Sequence, residues 1–126
     1  MALPARISRS PSQHVRRERE GMSSSHTDNL ALCCCCACGI EDGTVVGHHM
    51  MHVSASRGTG LKAPDQWAIP LCMRCHSACH SYGDDETYLT LAGVDARSVA
   101  RALWTARGDV SDLQRVAFRS AQGARR

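Results

Sequence analysis

The chain has 126 residues, a mass of 13.7 kDa and a formal net charge of +3. That is enough for one small domain with tails and too little for two cores of ordinary size. No apolar run approaches the roughly 20 residues a membrane-spanning helix needs, and collagen, coiled-coil and internal-repeat patterns are absent from the sequence.

Residues 1–30 are rich in Ser, Arg and His, poor in large apolar residues and without a period of 2 or 3.6. They read as a disordered tail, with order beginning near Leu30. No apolar secretory segment stands in residues 1–13, which implies a reducing, cytoplasmic setting. Residues 33–43 hold a Cys cluster ending in Gly39 and Asp42-Gly43, a tight knuckle followed by a turn. Residues 44–46 begin a strand that runs into His48-His49. Residues 54–65 form a polar, Gly-bearing loop. Residues 67–69 make a second short strand, stopped by Pro70. Residues 72–80 form a knuckle that becomes a helix.

The C-terminal third reads as helical. A short helix over 86–91 is closed by Gly93. Asp95 caps the next, which places Val99, Leu103 and Ala106 on one face and ends at Gly108. Asp109 caps a third, with Leu113, Val116 and Ala117 inward, and residues 122–126 fray. The expected class is α+β, in three parts: a tail over 1–30, a core over 31–92 and a helical extension with a basic tail over 93–126.

Charge is uneven along these parts. Residues 1–30 carry a balance of +2, residues 31–92 a balance of −3, and residues 93–126 a balance of +4. An acid-rich middle that also holds most of the Cys and His, between Arg-rich flanks, suits a metal core with arms that touch phosphates. The competing reading of the flanks is that they are solubilising tails.

Aromatic residues make up 4% of the chain, namely Trp67, Tyr82, Tyr88, Trp104 and Phe118. A core that thin rarely stabilises a fold of this size unaided. The eight Cys and seven His supply an alternative. In a reducing compartment thiols are more often metal ligands or catalytic groups than disulfides. Two Cys-x-x-Cys pairs stand out: Cys35/Cys38, followed by Gly39, and Cys72/Cys75. Two such knuckles can wrap one Zn²⁺ tetrahedrally, because each aims two thiolates at one point. Binding of a structural zinc is itself folding free energy, on the order of 10 kcal/mol or more. Cys33/Cys36 fits the same spacing. Cys35/Cys38 is preferred because Gly39 lets the chain fold back over the sulfurs. Cys33, Cys34, Cys36 and Cys79 receive no role.

Five of the seven His lie between residues 48 and 80. Neighbours on a strand point to opposite faces, so one of His48 and His49 can bind a metal while the other faces a substrate. His76 and His80 are four apart on the expected helix and share a face. A strand His with such a pair makes a three-imidazole site with open positions, as a catalytic metal requires. The second strand His can take a proton from water near neutral pH. Lys62 and Arg57, in the intervening loop, are candidates to hold phosphate. His52 is an alternative ligand. The plainer readings are exposed strand-end His for His48 and His49, and helix surface for His76 and His80.

The segments VVGHHMMHV and GTGLKAPDQWAIPLCMRCHSACH resemble the HNH endonucleases, the ββα-metal fingers. Within them they are similar to phage and prophage HNH-like nucleases, including the RecA-dependent recombination-enhancement nucleases. The likeness spans about residues 35–105, with AGVD at 92–95 and the LW at 103–104. It implies a small zinc-stabilised ββα-metal finger followed by C-terminal helices, and metal-dependent hydrolysis of DNA in recombination or DNA processing. By the same resemblance His49 corresponds to the general base, and His48, His76 and His80 to the catalytic-metal ligands. Cys35, Cys38, Cys72 and Cys75 correspond to the structural zinc site. The divalent ion at the histidines would be Zn²⁺, Mn²⁺ or Mg²⁺, and the partners DNA and a recombination protein such as RecA. The pattern departs at one position. The Asn nine residues before the helix metal ligand is here Trp67, and Asp65 is the candidate to brace the loop instead.

Three functions are weighed on this basis: a metal-dependent DNA endonuclease, a non-catalytic zinc module that recruits DNA or a recombination protein, and a thiol redox sensor built on the CCCC run.

Overall fold

The computed structural model describes residues 24–50 and 65–124. Among the described residues there are five α-helices: α1 (Ser24–Leu30), α2 (Met73–Tyr82), α3 (Asp85–Leu91), α4 (Ala96–Thr105) and α5 (Val110–Ala124). Strands β1 (Val46–His49) and β2 (Ala68–Leu71) form a two-stranded antiparallel sheet, and a 3-10 turn over Asp65–Trp67 leads into β2. The class is therefore α+β. Among the described residues no helix is long and apolar enough to cross a membrane.

The sheet register pairs Val46 with Leu71, Gly47 with Pro70, His48 with Ile69 and His49 with Ala68. The Met50 N–H donates to the Trp67 carbonyl at 3.3 Å. Antiparallel pairs alternate between bonded and non-bonded, so Gly47 and Pro70 fall at a non-bonded pair. The missing N–H of Pro70 costs the ladder nothing there. That is why β2 runs through Pro70 to Leu71, where the sequence reading stopped it. Its carbonyl faces the other way and accepts from the Cys36 N–H at 2.9 Å, which ties the cysteine knuckle to β2. Two further boundaries shift: β1 begins at Val46, two residues after the expected start, and Trp67 belongs to the 3-10 turn.

Helix α1 falls within the stretch read as a disordered tail. Seven residues are too few to be helical on propensity alone. Packing holds α1 in place. Leu30 and His26 are fully buried, and Thr27 packs against Gly47 of β1, where an added Cβ would sit in ordinary contact with the Thr27 Cβ at 3.4 Å. Residues 1–23 lie outside the described residues.

In the C-terminal half Asp95 and Asp109 cap as the sequence predicts, and Asp84, which the sequence reading did not assign, caps α3. Asp84 accepts from the Thr87 N–H at 3.1 Å, Asp95 from the Ser98 N–H at 3.3 Å, and Asp109 from the Asp112 N–H at 3.1 Å. The buried faces keep Leu103, Leu113 and Ala117 as expected. On α4 they are Ala96, Ala100 and Leu103, with Val99 and Ala106 only partly buried. On α5 they are Leu113, Ala117 and Ala121, with Val116 partly buried. Ala96, Ala100 and Ala121 thus complete the inward faces. Helix α5 continues to Ala124, past the expected fraying point. Gly93, at φ 89°, joins α3 to α4 where an added Cβ would lie 3.1 Å from the Ala124 backbone, so both conformation and space require glycine.

The core is aliphatic and sulfur-rich: Leu30, Met50, Ile69, Leu71, Leu89, Leu103 and Leu113 pack with buried cysteines. Its one anomaly is His26, 1% exposed, whose two ring nitrogens find no hydrogen-bond partner among the described residues. Its ring meets Trp104 edge-on, with centroids 5.2 Å apart. Burial holds the His26 pKa below the usual histidine value; Asp65 opposes this and Arg107 adds to it. The folded state thus binds fewer protons at this site than the unfolded chain. Its contribution to stability is complete above about pH 6.5 and is lost as pH falls through the folded value. His26→Phe keeps the ring contact and removes the unpaired nitrogens. We expect it to stabilise the fold by about 1 kcal/mol or more and to flatten the loss of stability between neutral and mildly acid pH. Thermal unfolding followed across that range checks this; an unchanged acid slope would contradict it.

Candidate functional site

The first knuckle is built by backbone geometry. The Cys35 N–H donates to the Ile40 carbonyl, and the Gly39 N–H donates to the Cys35 carbonyl, both at 2.9 Å. Gly39, at φ 80°, takes the left-handed conformation this reversal demands. The Cys38 N–H points at the Cys35 Sγ at 3.5 Å. The second knuckle is the start of α2. Cys72 occupies the N-cap with extended backbone, Cys75 follows in the first turn, and the His76 N–H bonds the Cys72 carbonyl at 2.8 Å. An N-cap side chain normally accepts from the helix; that of Cys72 does not. Thr44 substitutes for it, its Oγ1 accepting from the Met73 N–H at 3.3 Å while Asp42 holds the Thr44 hydroxyl at 2.6 Å. The Cys72 sulfur is therefore left to face the other knuckle.

Cys35, Cys38, Cys72 and Cys75 bring their sulfurs within 4.8 Å of one another. The Cys38 and Cys72 Sγ atoms are 3.6 Å apart. Tetrahedral Zn²⁺ with Zn–S of about 2.3 Å separates its sulfurs by roughly 3.8 Å. The cluster can thus hold a metal such as zinc. Its electrostatics fit one too. Burial pushes the Cys35 thiol up, but the N–H groups of Cys38, Cys72 and Ala37 outweigh it and bring the pKa down to about 7. Burial holds Cys38 and Cys75 above the usual thiol range. A bound dication would offset the burial that raises Cys38 and Cys75 and favour their thiolates. The alternative pair is excluded by position: Cys33 turns its Sγ to the Asn29 carbonyl at 3.6 Å, and Cys36 is fully buried away from the cluster, with its thiol raised by that burial.

The second cluster lies where β1 meets α2. His48, buried, and His76 and His80, one turn apart on α2, bring a ring nitrogen each within 4.8 Å of the others. His48 Nδ1 and His76 Nδ1 are 2.9 Å apart; His76 Nε2 and His80 Nε2 are 3.2 Å apart. Burial, then the neighbouring His48 and His80, hold the His76 pKa below the usual value. Neutral imidazole is the ligand form, so this environment suits a metal. His48 Nε2 donates to the buried Asp85 at 3.0 Å, which fixes its tautomer and leaves Nδ1 facing the cluster. Asp85, in the first turn of α3, is absent from the sequence reading. It lies 37 residues from His48, and nothing in the spacing announces it.

His49 points to the opposite face of β1, as strand alternation requires. There its Nε2 donates to Asp65 Oδ1 at 2.7 Å. The carboxylate is 4% exposed and the imidazole 19%, so a dry anion orients a ring that water can reach. Sequence reasoning gave Asp65 a loop-bracing role; its partner is His49. Lys62, Arg57 and His52 lie outside the described residues.

No family model, curated protein or solved structure matches this chain. The site therefore stands on its own geometry.

Cys72→Ser removes one ligand of the four-sulfur cluster and leaves an uncompensated knuckle. We expect wild-type protein to carry one tightly held zinc at these sulfurs, and the variant to lose it with a large drop in thermal stability. A strong chelator should reproduce the drop. Metal analysis with circular-dichroism melts checks this; a variant that melts like the wild type would contradict it.

Proposed function

We propose that this chain is a metal-dependent DNA endonuclease of the HNH, ββα-metal type. The observation that carries the reading is the division of labour at the end of β1. His48 joins His76 and His80, while its neighbour His49 is held by Asp65 at 2.7 Å. The antiparallel β1–β2 pair followed directly by α2 is compatible with the ββα arrangement that the resemblance implies.

In this reading Cys35, Cys38, Cys72 and Cys75 hold a structural zinc, and His48, His76 and His80 hold a catalytic divalent ion. That ion would supply charge neutralisation at the scissile phosphate and at the leaving oxygen. Three imidazoles favour a transition metal such as Zn²⁺ or Mn²⁺ over Mg²⁺, which prefers oxygen. The protein's own chemistry centres on His49. With Nε2–H committed to Asp65, Nδ1 keeps its lone pair and accepts a proton from water. The water oxygen bonds to phosphorus, a P–O ester bond breaks, and the leaving oxygen takes a proton from solvent. Asp65 stabilises the imidazolium that forms and holds its tautomer, a positioning role. Lys62 and Arg57 are the proposed phosphate holders. The proposed setting is phage or prophage DNA processing in the cytoplasm, with DNA and a recombination protein such as RecA as partners.

Trp67 supports a second reading. It stands where the resemblance expects Asn, and its indole N–H offers only part of that residue's hydrogen bonding. A zinc module that binds DNA without cutting it fits this substitution.

Cleavage of supercoiled plasmid and of single-stranded DNA, with added Mg²⁺, Mn²⁺ or Zn²⁺, separates the two. His49→Ala should lower the rate by about 10²–10⁴ with zinc content and melting unchanged, and Asp65→Asn should lower it in part. Cleavage retained by His49→Ala sinks the assignment of the base. A folded, zinc-loaded wild type that cuts nothing favours the binding module.

A further inference from the structure

Next along the chain from Asp65, the surface opens into a groove of about 290 Å³, lined by Gln66, Trp67, Arg101, Trp104 and Thr105. The 3-10 turn that carries Asp65 also carries Gln66 and Trp67, so the groove begins within about 7 Å of chain from the carboxylate that holds His49. The Trp67 carbonyl is hydrogen-bonded to Met50, the residue after His49. Groove and base are thus linked through the backbone of β1 and of the 3-10 turn.

Its composition is unusual for this chain. The molecule has two tryptophans, and both line the groove. Arg101 lies over Trp67, its guanidinium carbon 5.9 Å from the ring centroid. Arg107 lies over Trp104 at 4.4 Å, anchored by a 2.9 Å bond to the Trp104 carbonyl. Arg97, one turn before Arg101 on α4, is neutralised by Glu86 at 2.9 Å. Among the described residues Arg101 and Arg107 have no carboxylate partner, and no acidic side chain lines the groove. Indole rings that each carry a guanidinium group over one face, with no carboxylate partner for those groups among the described residues, match a ligand that is both planar and anionic. The volume lies at the small end of the range for ligand sites, enough for a single ring system.

We propose that this groove takes an unpaired nucleobase of a single-stranded stretch of nucleic acid, stacked on Trp67 and Trp104, with Arg101 and Arg107 on the flanking phosphates. The proposal rests on the nuclease reading for its direction, since it makes the groove the part of that site which feeds a strand past His49. Paired bases hide their faces in the stack, so a duplex offers this surface phosphates alone, whereas a single strand offers both partners.

Tryptophan fluorescence reports on the groove, because both indoles line it and the chain has no other. The zinc-loaded full chain, without further divalent ion, is titrated with a short oligothymidylate, with the corresponding blunt duplex and with polyglutamate. Quenching by the oligothymidylate at concentrations where the duplex and polyglutamate give little is the expected result. Arg101→Glu, an exposed change, should weaken the oligothymidylate by about tenfold or more and reduce the salt dependence by about one unit. Trp67→Leu should weaken it as well, with melting behaviour showing that the variant is folded. Equal quenching by duplex or by polyglutamate, or an affinity unchanged in Arg101→Glu, overturns the proposal. Because binding is read without cleavage, the two failures are separable. Quenching with no DNA cutting under any metal keeps the groove and removes the endonuclease; cutting with unchanged binding in Arg101→Glu removes the groove alone.

Discussion

Four sulfurs within 4.8 Å of one another join two parts of the chain more than thirty residues apart, and the remaining geometry depends on that closure. Cys35 and Cys38 come from a backbone knuckle, Cys72 and Cys75 from the first turn of α2. Fixing the start of α2 fixes where His76 and His80 stand. The bond from Cys36 to the Pro70 carbonyl fixes β2 against the same knuckle, and the β1–β2 register then carries His48 and His49 into place. A chain with 4% aromatic residues has little else with which to hold such an arrangement.

Two acid–histidine pairs occupy opposite faces of β1. Asp85 on His48 and Asp65 on His49 are both buried, and each commits one imidazole nitrogen. The remaining nitrogens differ in surroundings. That of His48 faces two further imidazoles, which suits a cation. That of His49 belongs to a partly exposed ring that joins no metal-ligand cluster among the described residues, which suits proton transfer. The same local device thus supports the two roles proposed for adjacent residues, and backbone alternation keeps them apart.

What was legible in the sequence was local. Cys-x-x-Cys spacing, the i, i+4 relation of His76 and His80, the opposed faces of His48 and His49 and the Asp caps of the C-terminal helices all follow from short-range geometry. What was not legible depends on chain reversals. Asp85 reaches His48 only because α3 folds back on α2, and Thr44 replaces Cys72 as a cap only because the knuckle turns the chain there. Helix α1 was hidden by its polar, Ser-rich composition; burial of Leu30 and His26 against the rest of the molecule makes it helical. Pro70 was misread as a stop because its place in the ladder depends on register, a property of two strands together.

The central claim is that one cluster builds the fold and the other performs the proposed reaction. Stepwise addition of Zn²⁺ to the metal-free chain, with folding and plasmid nicking followed in the same samples, tests it most directly. The account predicts that circular dichroism saturates at one equivalent while nicking is absent, and that nicking appears only as further divalent ion is added. Nicking that rises in step with the first equivalent, or a fully metal-loaded chain that never nicks, would contradict it.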